Sequence, residues 1–77
     1  MEDERIIELF FERSESAVGE LDGKYGALCR ALSRKIVGSA QDAEECVNDA
    51  YLGVWNTVPP ERPSPLAAYV CKIVRNI

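Results

Sequence analysis

The chain contains no histidine, so the commonest acid–base catalyst and metal ligand is missing from any chemistry it carries. No apolar run approaches the ~20 residues that a membrane-crossing helix needs, so no membrane span is expected. The opening residues MEDER are acidic where a secretory signal is basic, and the expected location is cytoplasmic. Three cysteines, Cys29, Cys46 and Cys71, are odd in number and too widely spaced for a zinc motif. Each lies on or beside an apolar stripe, which points to reduced, buried thiols. No stretch shows strand alternation, an internal repeat or low complexity. These absences disfavour an enzyme and imply neither a cofactor nor a metal.

What is present is a chain of 77 residues, 47% hydrophobic and 29% charged, in the globular range and too apolar for a disordered tail. Domains of this size bury only ~60% of the surface their unfolded chain exposes, so one small domain with a lean core is expected. The net charge of −4 is unevenly spread. Residues 1–22 carry −6, 23–40 carry +4, 41–58 carry −4 and 59–77 carry +2. Such alternation fits attraction between helices, and equally fits one acidic protein-binding face beside one basic nucleic-acid-binding face.

Helical spacing dominates. Ile6, Ile7, Phe10 and Phe11 make a short stripe in residues 3–13, and Ser14 or Ser16 offers a cap to a second helix. Val18, Leu21, Tyr25, Leu28, Leu32 and Ile36 then form a seam of about five turns. Gly19, Gly23 and Gly26 each cost about 1 kcal/mol in a helix interior, which predicts a weak or bent start; Gly38 stops the helix. Ser39 with Asp42 three residues on resembles a capping box. The third stripe, Ala43, Cys46, Val47, Ala50, Tyr51, Val54, Trp55 and Val58, is long enough to form the centre of the domain. PPERPSP is a stiff loop, because proline lacks a donor and forces its predecessor into extended backbone. Ser64 and Pro65 suit the cap and first residue of a fourth helix striped by Leu66, Tyr69, Val70, Ile73, Val74 and Ile77. The fold class expected is all-α: a small helical bundle of three main helices plus a short N-terminal helix.

The order YGALCRALSRKIVGSAQDAEECVNDAYLGVWNTV, a proline-bearing loop, then LAAYVCKIVRNI resembles region 2 of a bacterial RNA polymerase sigma factor of the extracytoplasmic-function (ECF) class. The family pattern pairs a YxxxLxxLAxRxxG-like helix with a DAEDLVQETFLRAW-like one and an FxxWLxxIARN-like one; here the last two read DAEECVNDAYLGVW and LAAYVCKIVRN. The chain departs from that pattern where Leu66 and Tyr69 replace the final helix's aromatic pair, and in its proline-rich loop. The resemblance covers about Ile6 to Ile77. On it the chain is expected to be a single excised sigma region 2 domain over 1–77, its last helix cut short and the promoter-binding helix-turn-helix domain absent.

The resemblance implies a transcription initiation factor module without catalytic residues. It would dock on the clamp helices of the largest subunit of bacterial core RNA polymerase, then recognise and melt the minus-ten element through the non-template strand of promoter DNA. An anti-sigma factor is a further expected partner. Glu45, Asn48, Asp49 and Leu52 match the family's clamp-contacting positions, and their i, i+3, i+4, i+7 spacing puts them on one face of the third helix. Carboxylates suit that role because partner arginines form charge-assisted, forked hydrogen bonds with them. Spacing alone would read the same face as ordinary solvated surface.

Lys72, Arg75 and Asn76, with Arg62 in the loop, are the DNA-binding candidates, since cations neutralise phosphates and asparagine pairs with base edges. Tyr69 is a candidate stacking partner for an extruded base, although its stripe position favours the core. Asn56 lines the same pocket or terminates its helix. Glu44 is read as a helix-start residue, and the basic block Lys24, Arg30, Arg34 and Lys35 as pairing with the acidic first helix. Two other classes stay open. One is a helical protein-interaction domain that binds polymerase or an anti-sigma regulator without touching DNA. The other, more remote, is a metal site on Glu44, Glu45 and Asp49.

Overall fold

Carboxylates at Asp3 and Glu4 suit the positive end of a helix dipole, and from there the chain forms α1 (Asp3–Phe11), α2 (Ala17–Val37), α3 (Ala40–Thr57) and α4 (Leu66–Arg75). The computed structural model describes residues 1–77. There are no strands, and the expected bundle of three main helices with a short leading one is the architecture found.

α1 ends on a Schellman-type turn, in which the Ser14 amide donates to the Leu9 carbonyl at 2.9 Å and that of Arg13 to Phe10 at 3.0 Å. The left-handed residue of that turn, usually glycine, is Arg13 at φ 55°. The chain then reverses, and Asp3 in the first turn of α1 accepts from Lys24 Nζ and Tyr25 Oη on α2, both at 2.7 Å. α1 and α2 therefore lie antiparallel, with Ile6 and Phe10 fully buried between α1 and the rest.

α2 runs unbroken from Ala17 to Val37 despite its glycines, because it packs on all three other helices and packing outweighs propensity. Gly26 is positively useful, since a side chain there would collide with the ends of Asp22 and Arg30, which instead close an ion pair at 2.9 Å. The predicted seam of α2 holds at Leu21, with Val18, Tyr25 and Leu32 packed against the core, and fails at Leu28 and Ile36. Leu28 and Ile36 are 49% and 47% exposed, whereas Cys29 and Ser33 are buried. The reason is the reach of α1: its first turn extends only to Lys24 and Tyr25, so nothing covers Leu28 or Ile36. Beyond that level α2 turns its Cys29 and Ser33 side inward, and Ser33 Oγ donates to the Ala43 carbonyl of α3 at 3.1 Å.

Gly38 stops α2 in the left-handed region at φ 80°, with its amide on the Arg34 carbonyl at 2.9 Å. Ser39 Oγ then accepts from the Asp42 amide at 3.3 Å and starts α3. Seven of the eight stripe positions of α3 are buried. The eighth, Trp55, is half-buried with its ring edge-on to Phe10 at 6.1 Å. α4 begins one residue later than the serine cap implies: Pro65 is its cap and accepts from the Tyr69 amide, while Ser64 makes no capping bond. Leu66, Val70 and Val74 seat α4 on the core. Burial of each such side chain contributes roughly 1.5–3 kcal/mol. No helix is long and apolar enough to cross a membrane.

Candidate functional site

The buried stripe of α3 leaves a ridge on its opposite side, and Glu45, Asn48, Asp49 and Leu52 all stand on it, exposed. Leu52 is 58% exposed, a large apolar side chain among acids. None of the three polar side chains takes part in a hydrogen bond or ion pair within the fold. The helical rotation sets Asn48 toward the α2 flank and Asp49 toward the α4 flank, with Glu45 and Leu52 between them.

Glu44, one residue before Glu45, has a different environment. Its carboxylate receives Arg30 Nε at 2.8 Å and Nη2 at 3.0 Å, a forked pair across α2 and α3. Arg30 also meets Asp22, which accepts from the Tyr51 hydroxyl at 2.7 Å. The chain Glu44–Arg30–Asp22–Tyr51 thus ties the two longest helices together. Glu44 and then Asp22 hold the Arg30 guanidinium charged by raising its pKa. The Tyr51 hydroxyl bond, then Arg30, hold the Asp22 carboxyl below its ordinary value, while burial, then Asp22, push the Tyr51 phenol up. Two readings from sequence are corrected here. Arg30 pairs with α2 and α3 and leaves Lys24 to hold α1, and Glu44 is an interhelix partner more than a helix-start charge. The carboxylate cluster of Glu44, Glu45 and Asp49 is accordingly not assembled, and no three metal-ligating side chains converge anywhere.

The six DNA candidates divide. Lys72, Arg75 and Asn76 are exposed together on the outer face of α4. Tyr69 is half-buried and donates its hydroxyl to Thr57 Oγ1 at 2.8 Å, so it braces α4 against the end of α3. Asn56 is exposed in that last turn of α3. Arg62 is separated from the α4 group. It lies over the Phe11 ring at 4.2 Å and lines a cleft of about 590 Å³ with Asp3, Glu4, Ile7 and Glu8 of α1 and the loop residues Pro63, Ser64 and Pro65.

The cysteines are free; Cys29 and Cys46 are buried and Cys71 is partly so. Burial, then the neighbouring Cys71, push the Cys29 thiol up to about 11, which keeps it protonated and unreactive.

One residue that the spacing of the sequence did not single out is Arg13. Its Nη1 donates to the carbonyls of Trp55 and Val58, both at 2.9 Å, and its guanidinium stacks 3.7 Å from the centre of the Trp55 ring. A signal for it exists in the prolines: Pro59 and Pro60 carry no amide hydrogen to close the end of α3, so a donor must come from elsewhere.

The all-helical bundle thus carries an unpartnered acidic ridge on α3 and the exposed Lys72 and Arg75 on α4. The chain matches the family described as Sigma-70 region 2 over residues 21–77, which takes in most of α2, all of α3, the loop and α4. It belongs to that family, whose domains bind RNA polymerase and take part in promoter melting, and which is a transcription-factor family and not one of enzymes. No curated protein and no solved structure matches the chain.

Proposed function

We propose that the chain works in the cytoplasm as region 2 of an ECF-class sigma factor. Glu45, Asn48, Asp49 and Leu52 dock on the clamp helices of the largest subunit of bacterial core RNA polymerase. Lys72, Arg75 and Asn76, with Asn56 and the loop carrying Arg62, face the non-template strand of the minus-ten element, and Tyr69 holds α4 in place for that contact. The observation that carries this reading is the contrast on α3: Glu44 is neutralised inside the fold by Arg30, while Glu45 and Asp49 have no cation against them. A partner helix presenting arginines would complete them with charge-assisted hydrogen bonds, and Leu52 would add a dry contact at their centre.

The DNA side is weaker in electrostatic terms. A domain of net charge −4 repels duplex DNA at long range, and two cations on one helix, Lys72 and Arg75, neutralise few phosphates. Promoter DNA is therefore engaged when polymerase holds both the domain and the opened strand. An anti-sigma factor that covers the acidic ridge would compete with polymerase for the same groups.

The test is crosslinking from residues 59–65 to promoter DNA with and without core polymerase. Crosslinks to the non-template strand that require polymerase are expected. Tight, salt-insensitive binding of the chain alone to duplex DNA would contradict the proposal.

A further inference from the structure

We propose that Arg13 is a positioning residue for the proline loop 58–65, so that the segment before the family match helps set the promoter-facing surface; this rests on the promoter reading of that loop.

Three observations converge. α3 ends without a basic residue in its last turn, and the two positions that would normally donate amides back to a helix end are Pro59 and Pro60, which have none. Arg13 supplies those donors from a distance of 42 residues in sequence, with one bond to Trp55 before the loop and one to Val58 at its first residue. Placing a cation against the negative end of a helix is favourable in its own right.

The second observation is the backbone of Arg13. It occupies the left-handed position of the turn that ends α1, at φ 55°, where glycine would be unstrained. An arginine there costs conformational energy, and its side chain returns two short bonds, to Trp55 and Val58, beside a long one of 3.5 Å to the Phe10 carbonyl of its own turn. The third is that the other half of the loop is held by the same short stretch of chain, because Arg62 stacks on Phe11. Residues 11 and 13 thus touch the loop at both Val58 and Arg62, and Glu61 between them bonds to the Thr57 carbonyl at 2.9 Å. Loosening Arg13 frees the loop where it leaves α3 without disturbing the acidic ridge.

The decisive variant is Arg13→Gly in the chain bound to core polymerase. Glycine fits the left-handed turn, so α1 still stops correctly and only the side-chain pin is lost. Trp55 is the single tryptophan of the chain, and its emission, read in the chain before polymerase is added, reports directly on loss of the stacked guanidinium. Amide exchange at Glu61 is expected to accelerate about tenfold as the loop opens locally. Opening of duplex promoters selected by the wild-type complex from a randomised minus-ten pool should slow roughly tenfold, as misplaced contact groups do. Affinity for core polymerase should stay within about twofold, and Arg13→Lys, which keeps donors but loses the flat stacking surface, should fall between.

Unchanged Glu61 exchange or an unchanged opening rate, in a variant whose Trp55 emission has shifted, overturns the proposal. If the wild-type complex binds polymerase yet opens no duplex, the promoter reading falls, and the exchange measurement still decides whether Arg13 holds the loop.

Discussion

Glu44 and Glu45 are neighbours on α3, yet Glu44 reaches across to α2, where Arg30 engages both of its oxygens, while Glu45 stands on the outer ridge with Asp49 and has no cation against it. The inner flank is a closed network in which Tyr51, Asp22, Arg30 and Glu44 satisfy one another. The outer flank is open. The difference separates the acids by role: charges on the α2 side hold two helices in register, and those on the ridge make no bond within the fold and, on the proposed reading, serve another molecule. Substitutions on the two flanks should therefore separate stability from binding.

The largest effect is expected at Asp49. Asp49→Lys should weaken binding to core polymerase on the order of a hundredfold, the loss typical when one member of an interfacial charge pair is removed or reversed, with helix content by circular dichroism unchanged. Equal affinity for the variant would show that the ridge is ordinary surface.

On the inner flank the effect moves to stability. Asp22→Ala leaves the Tyr51 hydroxyl, on a residue only 4% exposed, without its acceptor, and an orphaned buried polar group costs about 1–3 kcal/mol. Urea unfolding should register that loss, while polymerase affinity measured well below the unfolding transition should hardly change. A variant as stable as the parent would mean that the network is decorative.

Leu52→Ala sharpens the contrast from the other direction. Exposed apolar truncations leave stability within about 0.5 kcal/mol, so thermal unfolding should not move. Affinity for polymerase should drop by about tenfold if Leu52 sits at the dry centre of the interface.

The smallest effect is a pH dependence. The Tyr51 hydroxyl, then Arg30, lower the folded-state pKa of Asp22 below its ordinary 3.8, so the unfolded chain takes up this proton at a higher pH than the folded one. The resulting stabilisation is present above about pH 4 and lost as the pH falls below it. Because this carboxylate is 38% exposed, screening keeps the contribution small. Urea midpoints collected on acidification should fall more gently for Asp22→Asn than for the parent, and identical slopes would remove Asp22 from the account.

Much of this organisation is legible in the sequence where one helix decides it. Ser39 and Gly38 mark the α2–α3 junction by their own chemistry, and the stripe of α3 predicts both its buried side and its ridge. The seam of α2 is legible at Val18, Leu21, Tyr25 and Leu32 but not at Leu28 and Ile36, because their exposure depends on where α1 begins, which periodicity within α2 cannot express. The pairing of Arg30 was misassigned for a similar reason. Its partners sit on its own helix and on α3, whereas the charge pattern pointed to α1, where Lys24 takes the available acid. That Arg62, grouped with Lys72 and Arg75 as a DNA candidate, sits apart from them over the Phe11 ring is likewise set by the course of the loop and not by any spacing in the sequence.

The sequence by itself determined the four helices, the junction at Gly38 and Ser39, the face of α3 that must be buried and therefore the one that cannot be, since these follow from side-chain period and from backbone donors within a few residues. Only the tertiary structure decided which charges are consumed inside the fold and which remain outside, and that an arginine at the end of α1 completes the end of α3. Such contacts join residues as far apart as 45 positions. They depend on how whole helices are set against one another, and no local spacing records that.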